Sequence, residues 1–579
     1  MRLMTVLDWP RVPRGARPPV CNAALSSLQG VSARARARGS SISRRDSRQV
    51  GSGIRWPHLL LEGDQVEDLA QAIADAATRK IRARERLMKK SHDESVRRQR
   101  RSESRIESLK VREPALWSYD KSHNPFHVRA RSASIGHAML SSIKSGSFAP
   151  LPPAGFRIAK PAGGPRTVTA FAIADEVVSK RLYTSLTNKN RARLSAHSYA
   201  YRKDLGVHDA ISRLQADWSG EHRLYVAQYD FADYFGSVDH DHVWSTVHDL
   251  KFAITRTERQ LLKAYMLAPL PTLLPSTMPS NSRLRDRGIH QGTTISLLLA
   301  NIAATPLDRE FERLGVSFTR YADDVVIWSR DYNNLSRAVE ELHRFADASR
   351  CAINHSKSPG IGLLTLPESK EAEFRTVHKV DFLSQSIGLR TVSISERAIS
   401  TAKKTLAGYI YNHLLREPSK GTQDLKRLTG GIDRDYVALV WQLRRYLYGN
   451  LSEKQLRRLL RGPLPSMMSL GGLLGRHPLV DDVRQLQEFD AWLSTQVWLA
   501  LRKRAKLLDK AGSGVKRPAP WGLSQEQLTA FTTTSTRGLR STVDGRLPSS
   551  VRMSELVRRA VRAHGTRVAT HTASLYGWS

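Results

Sequence analysis

Cysteine is nearly missing from this chain: Cys21 and Cys351 are the only two in 579 residues. A disulfide framework needs more of them, and so does a Cys-rich zinc knuckle. Acidic residues are also short, with 54 Asp and Glu against 91 Lys and Arg, a formal net charge of +37. Such an excess of cations favours a polyanionic partner, nucleic acid first. Long apolar runs are lacking as well. The longest, Ile295 to Leu307, is broken by Asn301 and too short to span a bilayer, so no membrane partner is expected. Residues 1–56 carry only Asp8 and Asp46 as acids among many Arg and Ser. That composition resembles a transit peptide and equally fits a disordered basic arm, which is the reading preferred here.

What the chain does have is the stretch Tyr321-Ala322-Asp323-Asp324. Val316 to Arg320 precede it and Val325 to Trp328 follow, both β-branched or aromatic, so each flank reads as a strand around a tight turn. Two adjacent carboxylates at a hairpin tip raise each other's pKa, and a divalent cation removes that cost. The alternative is a solvated Asp-Asp turn. A second acidic strand shifts the balance: Leu224 to Tyr229 leads into Asp230-Phe231-Ala232-Asp233-Tyr234-Phe235. If the two strands are neighbours, Asp230 lies beside Asp323 and Asp324. Carboxylates so placed suit two metal ions and an in-line phosphoryl transfer.

At this point the sequence resembles a bacterial reverse transcriptase, of the broad group holding group II intron, retron and defence-associated enzymes. The resemblance runs from about residue 155 to 450. Arg157 to Arg166, with Lys160 and Arg166 flanking a Gly-Gly turn, is similar to the fingers hairpin that grips the incoming triphosphate. Ser198-Tyr199-Ala200-Tyr201-Arg202, Gly288-Ile289-His290-Gln291-Gly292, Ile353-Asn354 through Lys357, and Phe382-Leu383-Ser384 resemble further family blocks in the right order. The chain departs from the pattern at His290 and Leu297, where the family usually has Pro, and at Gly236, where it has Asp. None of these is a metal ligand.

The resemblance implies an α+β right-hand polymerase: fingers and palm of antiparallel sheet plus helices, an α-helical thumb, and helical N- and C-terminal extensions. It implies RNA-directed DNA synthesis with two Mg²⁺ ions, Mn²⁺ being the substitute. Asp230, Asp323 and Asp324 are the implied catalytic acids and metal ligands, with the Phe231 carbonyl as a further ligand. Lys160, Arg166, Phe235, Gln291, Gly292 and Lys357 are the implied nucleotide contacts, Phe235 as the ring that leaves no room for a ribose 2′-hydroxyl. Asp233 and Asp239 are read as structural. The partners implied are an RNA template, expected to be a cognate non-coding RNA, together with dNTPs and a DNA product.

Five segments are expected: a basic disordered arm over 1–60, a helical basic region over 61–150, fingers and palm over 151–390, a helical thumb over 391–460 and an α-helical accessory region over 461–579. Asp64 and Glu67 suggest a helix start, and the Arg-rich run that follows offers Arg97, Arg98, Arg100 and Arg101 to a phosphate backbone. Arg444 and Arg445 are expected to lie along a primer–template duplex. Neither a retron-type block nor a clear maturase or endonuclease pattern is visible. By elimination the subgroup reading is a cytoplasmic, defence-associated enzyme acting against phage. Two rivals stay open: a maturase-like RNA-binding protein, and template-independent or protein-primed DNA synthesis at the same site.

Overall fold

The structure, a computed structural model, describes residues 62–102, 111–159, 165–273, 286–368, 375–428, 430–465, 468–510, 517–534 and 542–569. The first of these is one long helix, α1 (Glu62–Ser102). Leu69, Ile73, Ala76, Ala77 and Ile81 recur at helical spacing and are buried, which is why so basic a segment holds to the body of the protein. The hairpin β1 (Ala154–Ala159) and β2 (Pro165–Ala170) follows, antiparallel, with Ala159 opposite Pro165. Helix α2 (Ile173–Lys189) comes directly after it. Ion pairs from Lys80 to Glu176 at 3.0 Å and from Arg181 to Asp68 at 2.8 Å tie α1 to α2.

The palm is a five-stranded sheet. After α3 (Val207–Trp218) comes β3 (Arg223–Asp230), and the two-residue β4 (Thr272–Leu273) joins the fingers hairpin through β1. Helix α4 (Thr294–Leu314) leads to β5 (Ser317–Tyr321) and β6 (Asp324–Ser329), then α5 (Tyr332–Ser349), β7 (Gly360–Thr365) and β8 (Thr376–Val377). The sheet order is β5-β6-β3-β7-β8, antiparallel except between β7 and β8. Both of its faces are buried. Ala227, Tyr229, Val325 and Ile327 point into one core, with residues of α4 and α5; Leu224, Val226, Val326 and Trp328 point into a second. Strands covered on both sides carry apolar residues at nearly every position, which accounts for the unbroken runs around the two acidic motifs.

The second core joins the palm to everything downstream. It takes in β9 (Val380–Phe382), β10 (Gln385–Ile387) and β11 (Val392–Ile394), then α6 (Glu396–Ile410), α7 (Arg434–Tyr448), α8 (Glu453–Arg461), α9 (Val483–Lys510) and α10 (Ser550–His564). The mixed helix-and-sheet architecture expected of the chain is therefore present. The expected segment boundary at 460 coincides with no break in this core. Asp433 caps α7 and accepts from Arg504 Nε and Trp521 Nε1, each at 2.8 Å, so thumb and C-terminal region share buried polar contacts as well as apolar ones. The C-terminal region also contains a small hairpin, β12 (Thr532–Thr534) with β13 (Thr542–Asp544), where helices alone were expected.

Candidate active site

Strand pairing brings the acids together. In the β3–β6 register Asp230 stands directly opposite Asp324, with Tyr229 opposite Val325 and Gln228 opposite Val326. Directly opposed residues share a face of the sheet and lie about 5 Å apart at Cα. Asp323 occupies the β5–β6 turn, immediately after Ala322, whose φ of 61° makes the tight reversal. Like charges facing one another destabilise a sheet, so this pairing needs a cationic partner.

Part of that compensation is built in. Lys357 Nζ lies 2.8 Å from Asp230 Oδ2, and Asn354 Nδ2 donates to the same oxygen at 3.1 Å. The Asn354 amide donates to the Asp230 carbonyl at 2.8 Å, and the Asp230 amide to Ser358 Oγ at 3.1 Å, so the segment after α5 is moulded to the end of β3. Gln228 Nε2 reaches Asp324 Oδ1 at 3.3 Å and the Asp381 carbonyl at 2.8 Å. Asp324 remains undercompensated. Desolvation first, then the charges of Asp230 and Asp323, push its carboxyl up to about 7, against the opposing effects of Gln228 and Lys357.

The donor set is chemically suited to magnesium: carboxylate oxygens, with the Phe231 carbonyl next in the chain, are the hard ligands that ion takes. A divalent cation would also favour the ionised form of Asp324, which desolvation and the neighbouring carboxylates disfavour. Among the described residues, no group of three or more His, Cys, Asp and Glu side chains is already gathered as a metal site.

The nucleotide-contact expectations fall in several places. Lys160 lies outside the described residues. Arg166 sits in β2 opposite Ile158, its side chain likewise outside them. Gln291 and Gly292 meet the fingers directly: the Gln291 carbonyl accepts from the Thr169 amide at 2.7 Å. A Cβ on Gly292 would stand 1.7 Å from the Thr169 carbonyl oxygen, and its φ of 151° favours glycine besides. Only glycine lets palm and fingers approach this closely. Phe235 is buried, its ring centroid 6.3 Å from that of Tyr201 and 6.1 Å from that of Tyr234, and its carbonyl accepts from Ile289 at 2.7 Å. Tyr201 in turn faces Tyr321 at 6.5 Å, so Phe235 lies one ring away from the acidic hairpin. Asp233 begins the short helix bearing Phe235, and Asp239 caps the next helix by accepting from His242 at 3.0 Å.

Arg444, expected along a primer–template duplex, is engaged within the protein. Arg444 is buried, its Nη2 donating to Asp544 Oδ1 at 2.7 Å and to the Arg546 carbonyl at 2.6 Å. Consecutive helical residues point about 100° apart. Arg445 accordingly turns elsewhere, to Glu94 of α1 at 3.5 Å and over the Trp441 ring at 5.8 Å. Arg97, Arg98, Arg100 and Arg101 fall on α1, with their side chains outside the described residues.

Sequence reading missed Gln228, Ser358 and the buried pair Arg320 and Asp308. For Gln228 the available signal was a polar residue inside an apolar run, which must find a partner when buried.

Residues 158–387 match the family described as reverse transcriptase (RNA-dependent DNA polymerase). The match spans 230 of the 579 residues, so it is this segment that carries a reverse transcriptase domain. A comparison with curated proteins gave no match. Among solved structures, the apo telomerase of Candida tropicalis truncated from its C-terminal domain aligns at 13% identity and a TM-score of 0.32, covering 45% of this chain and 60% of that one. The Candida albicans telomerase in complex with a fragment of telomeric RNA aligns at 11% identity and a TM-score of 0.32, covering 65% of this chain and 66% of that one. This chain thus spans less than two thirds of the length of those two telomerases.

Proposed function

We propose that this chain copies RNA into DNA by two-metal phosphoryl transfer, with Asp230, Asp323 and Asp324 as its catalytic carboxylates. The observation that carries the reading is the register of Asp230 against Asp324, beside the Asp323 turn and inside the reverse transcriptase domain. Asp230, Asp324, Asp323 and the Phe231 carbonyl would hold the metal ions. When bound, those ions supply charge neutralisation at the phosphates and a more acidic primer 3′-hydroxyl. Asn354 and Lys357 orient the Asp230 carboxylate, and Gln228 orients Asp324. Lys357, more than half exposed beside Asp230, is the described cation best placed to meet a triphosphate. Lys160 and Arg166 are assigned to the same triphosphate. Gln291 and Gly292 support the templating side by fixing β2 to the palm, and the Phe235 ring filters the sugar. Closure of this arrangement around a nucleotide would exclude water from the transfer.

The template is proposed to be a cognate non-coding RNA, held by the basic N-terminal helix and the C-terminal region, and the setting a bacterial cytoplasm in defence against phage. The net charge of +37 supports a nucleic-acid partner. The test is extension of a DNA primer on an RNA template by the purified full chain in Mg²⁺, with single dNTPs omitted in turn. Stalling at the position that calls for the missing nucleotide supports templated synthesis. Extension that ignores the template favours template-independent addition, and no extension at all favours a maturase-like binding role.

A further inference from the structure

Arg320 lies immediately before the Tyr-Ala-Asp-Asp stretch, near the end of β5, and its side chain is wholly buried. Its partner Asp308, on α4, is equally buried. Nε and Nη2 of Arg320 donate to the two Asp308 oxygens at 2.7 and 2.6 Å, a two-pronged pair that fixes the guanidinium plane. Nη1 then donates to the Ala322 carbonyl at 3.1 Å and lies 3.3 Å from Asn301 Oδ1. Asn301 and Asp308 are seven residues apart on α4, so both present to the same side of that helix. Asn301 also donates to the Ala200 carbonyl at 2.9 Å, and the main chain of Arg320 exchanges hydrogen bonds with His197 and Tyr199 at 2.9 Å each.

Burying an ion pair is seldom the cheapest way to hold a fold, because desolvation offsets most of the attraction. What this pair does that an apolar pair could not is hold one particular peptide. The Ala322 carbonyl belongs to the same planar unit as the Asp323 amide, so gripping that carbonyl sets the orientation from which the Asp323 side chain departs. Ala322 is in the left-handed region, φ 61°, where a non-glycine residue stays only if its surroundings hold it there.

We propose that Arg320, clamped by Asp308, is a positioning residue that aims the Asp323 carboxylate at the metal ions. It touches neither substrate nor metal. The proposal rests on the polymerase reading of the site, and its test separates the two. Arg320→Lys keeps the charge beside Asp308 but lacks the second arm that reaches Ala322. The double variant R320M/D308L removes both charges together, so neither is left unpaired in the core. Each is compared with the unaltered full chain for melting temperature, for kcat and KM in primer extension, and for Mn²⁺ affinity followed by the loss of free-ion electron paramagnetic resonance signal.

The expected result is a cooperative fold in at least one variant, kcat lower by about tenfold or more, KM for dNTP within about twofold, and weaker Mn²⁺ binding. A folded variant with unchanged kcat and unchanged Mn²⁺ affinity would overturn the proposal. So would failure of both variants to fold, since the pair would then serve stability alone. If the unaltered chain fails to polymerise, the functional reading falls. The Mn²⁺ comparison still tests the positioning role.

Discussion

Gly292 and Thr169 are in backbone contact: a single added methyl group on the glycine would sit 1.7 Å from the threonine carbonyl oxygen. Thr169 belongs to the fingers hairpin, and Gly292 to the turn that opens α4 in the palm. The hydrogen bond from the Thr169 amide to the Gln291 carbonyl, at 2.7 Å, closes the same contact. The fingers are thus seated on the palm by main chain, and the position of any nucleotide between them depends on residues that carry no reactive group.

Phe235, whose carbonyl accepts from the Ile289 amide three residues before Gly292, has a role open to a direct measurement. Phe235→Ala is expected to raise the ratio of ribonucleotide to deoxynucleotide incorporation, because the ring proposed to abut the sugar is gone. The same change empties part of a buried core and is expected to cost about 3 kcal/mol. The ratio should therefore be read well below the variant's melting temperature. An unchanged ratio in folded protein would return Phe235 to a packing role only.

Burial makes Asp175, on α2, a pH-dependent liability. Desolvation first, then the neighbouring Glu176, push its carboxyl from 3.8 up to about 7, against the amide of Leu151 that donates to it at 2.9 Å. A carboxyl raised in the folded state favours folding fully below pH 3.8, where both states are protonated. That contribution is lost progressively as pH rises toward 7, because only the unfolded chain ionises freely. Asp175→Asn keeps the acceptor and removes the titration. The variant should gain on the order of 3 kcal/mol relative to the unaltered chain between pH 4 and pH 8, by denaturant unfolding at each pH. A pH-independent difference would rule the effect out.

The Arg-rich end of α1 is proposed to anchor RNA. Replacing Arg97, Arg98, Arg100 and Arg101 with Gln should lower the log-affinity versus log-salt slope by about 3, if each meets a phosphate. Extension of a generic primer–template at saturating concentration should change little, since the acids are untouched. An unchanged slope would move the anchor to residues 461–579.

These sites were not equally legible in the sequence. The acidic hairpin was, because strand alternation, the short turn and the Asp-Asp pair are all local. Asp230 opposite Asp324 needed only that two apolar strands be neighbours. The burial of Arg444 was not legible, because spacing along a helix says which residues share a face but not which face is covered. Its burial depends on Asp544, 100 residues away. The merging of thumb and C-terminal region into one core was equally hidden: Asp433 and Arg504 find each other across 71 positions. Arg320 and Asp308 lie 12 positions apart, and nothing local identified them as partners.

The central claim is that Asp230, Asp323 and Asp324 hold the ions that transfer the phosphoryl group. Asp323→Asn with Asp324→Asn preserves size and removes two of the three charges. The most direct measurement is primer extension on an RNA template in Mg²⁺ by this double variant and the unaltered chain, with melting temperatures taken in parallel without metal. The expected result is extension by the unaltered chain and none by the variant, whose melting temperature is equal or higher because repulsion around Asp324 is relieved. Extension by the folded variant at a rate close to that of the unaltered chain would contradict the account.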